Sequence, residues 1–206
     1  MTGSEVPESS DLETSSGPVV AIPVYAGVSE LELGIMVTVC RLCGGPDATR
    51  TVNRSRASIL TAGGLVSTPH VLYAALPEPA ALLLPGGPGA AKASRDPLLR
   101  AFLGAHPALP TGASGSGLLL LGEAGSLRGR EIGGSEDLTE SLWSYEPLDI
   151  HPGRAVTDAQ LRTAPGGLGA FEAALHVAAA LWGEESSSEA ARRLGYRGDG
   201  SLLGTN

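Results

Sequence analysis

The chain has 206 residues and a mass of 20.8 kDa, the size of one domain around one core. A composition of 42% hydrophobic, 17% charged and 4% aromatic residues with 29 glycines excludes a coiled coil, a collagen-like chain and a disordered protein. A formal charge of −8 and a pI near 5.0 leave no basic stripe for nucleic acid or an acidic membrane.

Residues 1–17 carry Glu5, Glu8, Asp11 and Glu13 and no basic residue. With so little apolar surface to bury, they read as a disordered acidic tail, and 18–206 as the folded domain. No basic segment followed by an apolar one opens the chain, and the runs Leu82–Leu84 and Leu118–Leu121 are too short to span a bilayer. Two cysteines three residues apart cannot staple a secreted scaffold of this size, so a soluble, cytoplasmic protein is expected.

From Val19 to Tyr25 the sequence is continuously apolar, as in a strand covered on both faces. Ser29 is placed to cap a helix from Glu30 to Leu42, in which Leu31, Ile35, Val39 and Leu42 recur at helical spacing. A second strand is predicted over Ala80–Leu84, then the loop Pro85–Gly89 and a helix from Pro97 to Leu103. Around 112 a third unit begins, with a loop Gly112–Gly117 running into an apolar helix Leu118–Ala124. Gln160–Thr163 reads as a strand, and Gly166 and Gly167 lead into a helix from Leu168 to Trp182. Strands alternating with helices predict an α/β fold, a flavodoxin-like three-layer sandwich with a mostly parallel sheet and helices on both faces. Ligands in such sheets sit at the carboxyl ends of the strands.

Each glycine loop can aim backbone N–H groups at an anion or simply make a tight turn. No Gly-x-Gly-x-x-Gly fingerprint opens the first helix and no glycine loop carries a P-loop lysine, so no nucleotide cofactor is expected. Ser114 and Ser116 lie in a segment shaped like a nucleophile elbow, but a serine nucleophile needs a base, and none of His70, His106, His151 and His176 stands in an identifying motif.

The sequence Tyr25-Ala26-Gly27-Val28 with Glu30 to Leu33, the run Leu84-Pro85-Gly86-Gly87-Pro88-Gly89, the segment Ser116 to Gly125 with Leu127 to Arg130, and Leu161-Arg162-Thr163 leading to Gly169-Ala170-Phe171-Glu172 resemble the DJ-1/PfpI superfamily. Within it the likeness is greatest to isonitrile hydratases and to the glutamine-amidotransferase-like domains in front of AraC-type regulators. The resemblance spans residues 19–197 and implies an acid at Glu32, but it places Gly115 where the family carries a nucleophilic cysteine, and Gly134-Ser135-Glu136 where hydratases carry Thr-His-Trp. Cysteine-based chemistry is therefore not implied. A glycine at the elbow enlarges the pocket, and Glu32 is implied as a general acid/base, aided by backbone amides near Gly87 and Ser116.

Other candidates carry two readings each. Glu32 could also be an ordinary solvated helix start favoured by the helix dipole. Cys40 and Cys43 share a helix face, as a redox pair or as packing, and form no zinc site. His70 follows Thr68 and Pro69 in a loop that can approach the pocket; His106 and His151 sit in proline-flanked turns and His176 on the last helix. Trp143 and Tyr145 either line the pocket or pack between layers. Pro165 shapes a turn after Thr163, and Glu172 is expected to hold the fold. The expected protein is a cysteine-independent lyase, isomerase or cyclase acting on a small metabolite, with specialised-metabolite biosynthesis a plausible setting. It would bind through Gly87, Gly115, Ser116, His70, Trp143 and Tyr145, without metal or cofactor, as a homodimer. The alternative is a non-catalytic ligand-binding or regulatory module, and a third reading makes Ser114 or Ser116 a hydrolytic nucleophile.

Overall fold

In the strand Val20–Pro23 (β1), side chains alternate between two separate cores: Val20 and Ile22 meet one helical layer and Ala21 the other. The same alternation runs through the neighbouring strand Ala81–Leu84, where Leu82 and Leu84 face the layer opposite to Leu83. Both faces are buried, which is why these segments are continuously apolar. A computed structural model describes residues 17–197. Apart from Gly17, the expected acidic tail lies outside the described residues.

After β1 the elements are α1 (Glu30–Gly44), β2 (Thr49–Asn53), β3 (Ile59–Leu60), β4 (Val66–Ser67), β5 (Val71–Leu72), β6 (Ala81–Leu84), α2 (Ala90–Ala93), α3 (Pro97–Gly104), β7 (Thr111–Ser114), α4 (Leu118–Glu123), β8 (Glu131–Gly134), α5 (Thr139–Trp143), β9 (Asp149–Pro152), β10 (Val156–Asp158), β11 (Leu161–Ala164), α6 (Ala170–Trp182) and α7 (Glu184–Arg193). Among the described residues, seven strands form the central sheet in the order β10-β11-β7-β6-β1-β2-β5. All neighbours are parallel except the edge pair β10 and β11. A small parallel pair, β8 with β9, and the hairpin β3–β4 stand apart from it. The fold is thus mixed α/β, a mostly parallel sheet flanked by helices.

α1, α6 and α7 pack together on one side, and Ile35, Met36, Val39, Phe171, Ala174 and Val177 fill the space beneath them. Beneath α3, α4 and α5 lie Leu99, Phe102, Leu118, Leu120 and Leu142. Ser29 caps α1 through its hydroxyl, which accepts the Glu32 N–H.

Two segments differ in kind from the sequence reading. Gly112, Ala113 and Ser114 are strand, not loop. A Cβ at position 112 would stand 2.5 Å from the Ala173 carbonyl oxygen, so this strand glycine lets α6 lie against the sheet. His151 lies in β9 rather than in a turn.

The register sets the site. Leu84 is level with Ala113, and Ala164 with Ser114, so β6, β7 and β11 end together. Their following loops, Pro85-Gly86-Gly87, Gly115-Ser116-Gly117 and Pro165-Gly166-Gly167, gather at one edge, where α1 also begins.

Candidate active site

Glu32 lies in the first turn of α1 and is only 5% exposed. Spaced three residues from the Ser29 cap, it has the sequence position of a capping-box acid, which would reach back to the Ser29 N–H. That N–H instead donates to the Gly86 carbonyl, and the Glu32 side chain turns inward across the strand ends. Its Oε2 accepts the Gly86 N–H at 2.8 Å and the Ser114 hydroxyl at 2.5 Å. Its Oε1 accepts the Gly167 N–H at 3.0 Å. The partners are main-chain dipoles and a neutral hydroxyl, not a cation.

A carboxylate oxygen has two lone pairs, so Oε2 is saturated and Oε1 holds one in reserve. That remaining acceptor borders two glycines. A Cβ on Gly166 would stand 3.2 Å from Oε1, and one on Gly115 3.4 Å from it. Gly115 sits at the tip of the turn after β7 with φ 50°, a left-handed conformation that glycine adopts without cost. Ser135, after β8, closes the group: its hydroxyl accepts the Gly166 N–H at 3.0 Å.

The phenol of Tyr25 donates to the Pro85 carbonyl at 2.7 Å beneath the loop. Burial, and secondarily the Glu32 charge, push its pKa up, so it stays a protonated donor.

Gly87 and Ser116 are brought together, but as partners of each other. The Ser116 hydroxyl accepts the Gly87 N–H and donates to the Gly87 carbonyl, both at 2.8 Å. The Gly87 amide is therefore occupied, contrary to the expectation that it points free into an anion hole. The Ser116 N–H has no acceptor among the described residues and lies over Gly86.

Three expected pocket residues are elsewhere. His70 precedes β5 at the far edge of the sheet, where its Nδ1 accepts the Thr51 N–H at 3.0 Å. Tyr145 packs its ring on Gly122 and donates to Glu123 at 3.3 Å, at the end of α4 remote from the site. Trp143 ends α5 and is 48% exposed. Among the described residues, no histidine bonds to Glu32, Ser114 or Ser116: His106 stacks edge-on against Phe102, His151 lies 3.5 Å from Glu131, and His176 contacts the Gln160 carbonyl. Ser114 is fully buried, so neither serine has the base and access a hydrolytic nucleophile requires.

Cys40 is buried in the helical layer and Cys43 donates to the Ser186 carbonyl at 3.5 Å. Burial pushes both thiols up, away from the reactive thiolate. Glu172 joins Arg162 and the Tyr196 hydroxyl, fastening β11 to α6 and the chain beyond α7. Thr163 accepts the Gly133 N–H at 2.7 Å, fixing β8 to the main sheet. The described residues contain no cluster of three or more His, Cys, Asp or Glu able to hold a metal ion, and no helix long and apolar enough to cross a membrane.

Gly86, Gly166, Gly167 and Ser135 are site residues that the sequence did not single out. Pro-Gly-Gly follows both β6 and β11, and each copy supplies one N–H to Glu32; that repeated tripeptide was the available signal.

No family model matches the sequence, and no curated protein does. Solved structures do. A ThiJ/PfpI family protein from Pseudomonas syringae superposes with a TM-score of 0.77 at 22% identity, covering 92% of this chain and 81% of its own. DJ-1beta from Drosophila melanogaster gives 0.80 at 20% identity, over 88% and 99%. A DJ-1 superfamily protein from Salmonella typhimurium, solved as a cysteine-to-alanine mutant, gives 0.71 at 24% identity, over 87% and 99%. The seven-stranded sheet and the helices on its two sides are thus the fold of DJ-1/ThiJ/PfpI superfamily proteins.

Proposed function

We propose that the chain is a cysteine-independent DJ-1/PfpI-like enzyme in which Glu32 transfers a proton on a small metabolite, as a lyase, isomerase or cyclase. One observation carries this reading: the single uncommitted lone pair of the buried carboxylate is on Oε1, which borders Gly115 and Gly166. A carbon or hydroxyl proton of a substrate seated over these glycines would pass to Oε1. The Ser114 hydroxyl and the Gly86 and Gly167 amides hold the carboxylate in place before and after transfer. The Ser116 amide is the donor available to a developing oxyanion. Gly115 at the turn supplies no nucleophile, so the chemistry is acid/base and not covalent.

The test is a metabolite profile of the source organism lacking this gene, complemented with wild type or Glu32→Gln. Accumulation of a precursor that only the wild type clears supports proton transfer by Glu32, and the compound defines the substrate class. Restoration by both genes refutes it.

The mutual pairing of Gly87 and Ser116 favours a second reading, a ligand-binding or regulatory module, because it occupies an amide that catalysis would use. Restoration by both genes supports that reading.

We also infer a homodimer. The hairpin β3–β4 exposes Leu60, Leu65 and Val66, the last by 70%, and α1 exposes Leu31. The hairpin is fixed to the start of α1 by the Gly63 N–H donating to Glu30 at 3.0 Å. Exposed apolar side chains on a hairpin tied to α1 are suited to a second copy.

A further inference from the structure

At the sheet edge formed by β5, remote from Glu32, a cavity of about 880 Å³ opens beside the amino ends of β1 and β6. Its volume lies within the usual range of small-molecule sites. Val71, Leu72 and Leu76 make much of its wall, and Arg50, Arg56 and His70 supply its polar side.

Thr51 holds the His70 ring at Nδ1, which accepts the Thr51 main-chain N–H at 3.0 Å and lies 2.7 Å from the Thr51 hydroxyl, a group able to donate to it as well. The neutral ring then carries its proton on Nε2, which makes Nε2–H a donor. Burial lowers the pKa of His70, and the charges of Arg50, Arg41 and Arg56 lower it further. The cause is informative: positive charge is concentrated here, in a chain whose net charge is −8.

Arg50 is held by Asp47 and by the Asp47 and Thr49 carbonyls. Arg56 is exposed and has no ion-pair partner among the described residues. Glu78 is the one carboxylate in the lining, and it is exposed.

We propose that this cavity binds an amphipathic monocarboxylate, its carboxylate held by Arg56, Arg50 and the His70 Nε2–H and its hydrocarbon body lying along Val71, Leu72 and Leu76. Charge complementarity selects an anionic head group such as a carboxylate, because Arg56, the Arg50 guanidinium beside its Asp47 partner, and a neutral imidazole N–H are all donors. The apolar wall selects the tail. This site is independent of the acid/base reading of Glu32.

The probe is decanoate, titrated into the full chain by calorimetry, with decanol as the uncharged control. One saturable site is expected, with decanol at least about tenfold weaker, the size of one charge-assisted hydrogen bond. Arg56→Ala, an exposed position whose loss leaves the fold intact, should weaken decanoate by about tenfold. Ala75→Trp, which fills the cavity from its rim, should abolish binding. Decanoate, but not decanol, should shift the His70 Nε2 resonance in long-range proton–nitrogen spectra. Absence of saturable binding overturns the proposal; so does equal binding of decanol, or affinity unchanged in both variants.

Discussion

Replacing Glu32 with glutamine exposes how the site is built. Both carboxylate oxygens accept main-chain N–H groups, Gly86 on Oε2 and Gly167 on Oε1. An amide has one oxygen, so whichever way the glutamine side chain is turned, its NH2 faces one of these donors. The Ser114 hydroxyl can rotate to accept from the amide, but a backbone N–H cannot. One buried donor is left unpaired, which costs about 1–3 kcal/mol. At roughly 2–4 °C per kcal/mol for a domain of this size, the midpoint of thermal unfolding should fall by about 2–12 °C. Circular dichroism melts at pH 7 measure this, with urea midpoints as a second readout. A Glu32→Gln protein as stable as wild type, or more so, would refute the reasoning, since the carboxylate would then be a burden on the fold and not a tie across it.

Gly115→Ala puts a Cβ on a left-handed backbone, a cost of roughly 1–2 kcal/mol, and that Cβ stands 2.9 Å from the Gly166 Cα. A midpoint lowered by about 2–8 °C is expected in the same melts, and an unchanged one would show that the turn relaxes. The pH dependence follows from His70, whose pKa is held below 6.5 in the fold by burial and then by Arg50, Arg41 and Arg56. The unfolded chain binds the proton first, so this stability is present above pH 6.5 and is lost as the pH falls. His176, lowered mainly by burial, adds the same sign. Melts between about pH 5 and 7.5 should be less steep in pH for His70→Gln, and equal slopes would contradict the assignment. Val66→Asp places a charge among the exposed apolar residues of the hairpin and should convert the proposed dimer to monomer in light scattering; a monomeric wild type would sink the dimer outright.

The parts of the fold legible in the sequence are those where side chains carry the pattern. Val20–Pro23 and Ala81–Leu84 are apolar on both faces, and Ser29 with Leu31, Ile35 and Val39 gives α1 its start and period. β7 was hidden because Thr111-Gly112-Ala113-Ser114 has the composition of a loop, and only the nearness of α6 explains Gly112. β8, with Gly133 and Gly134, is hidden for the same compositional reason, and α7, Glu184–Arg193, is nearly devoid of large apolar residues. Position 32 stood out through the resemblance of the surrounding motif. Ser114 stood out too, but as a candidate nucleophile; the other two partners are amide groups, which every residue except proline possesses, and Gly167 lies 135 residues away along the chain. His70, Trp143 and Tyr145 suit a site by side-chain chemistry alone, and the topology puts His70 and Tyr145 beside other partners and leaves Trp143 half in solvent.

The grip on Glu32 has a consequence for how this site can change over generations. Its two amide donors are set by the path of the chain at Gly86 and Gly167, a path that needs glycine at both: a Cβ on Gly86 would stand 2.9 Å from the Ser116 nitrogen, and Gly167 has φ 66°. Point mutation elsewhere can drift far while the carboxylate remains seated, provided the ends of β6 and β11 stay level. An insertion or deletion of one residue in either Pro-Gly-Gly turn would unseat it at once. Divergence here should therefore show itself in the residues surrounding the two glycines, with the lengths of both turns held constant.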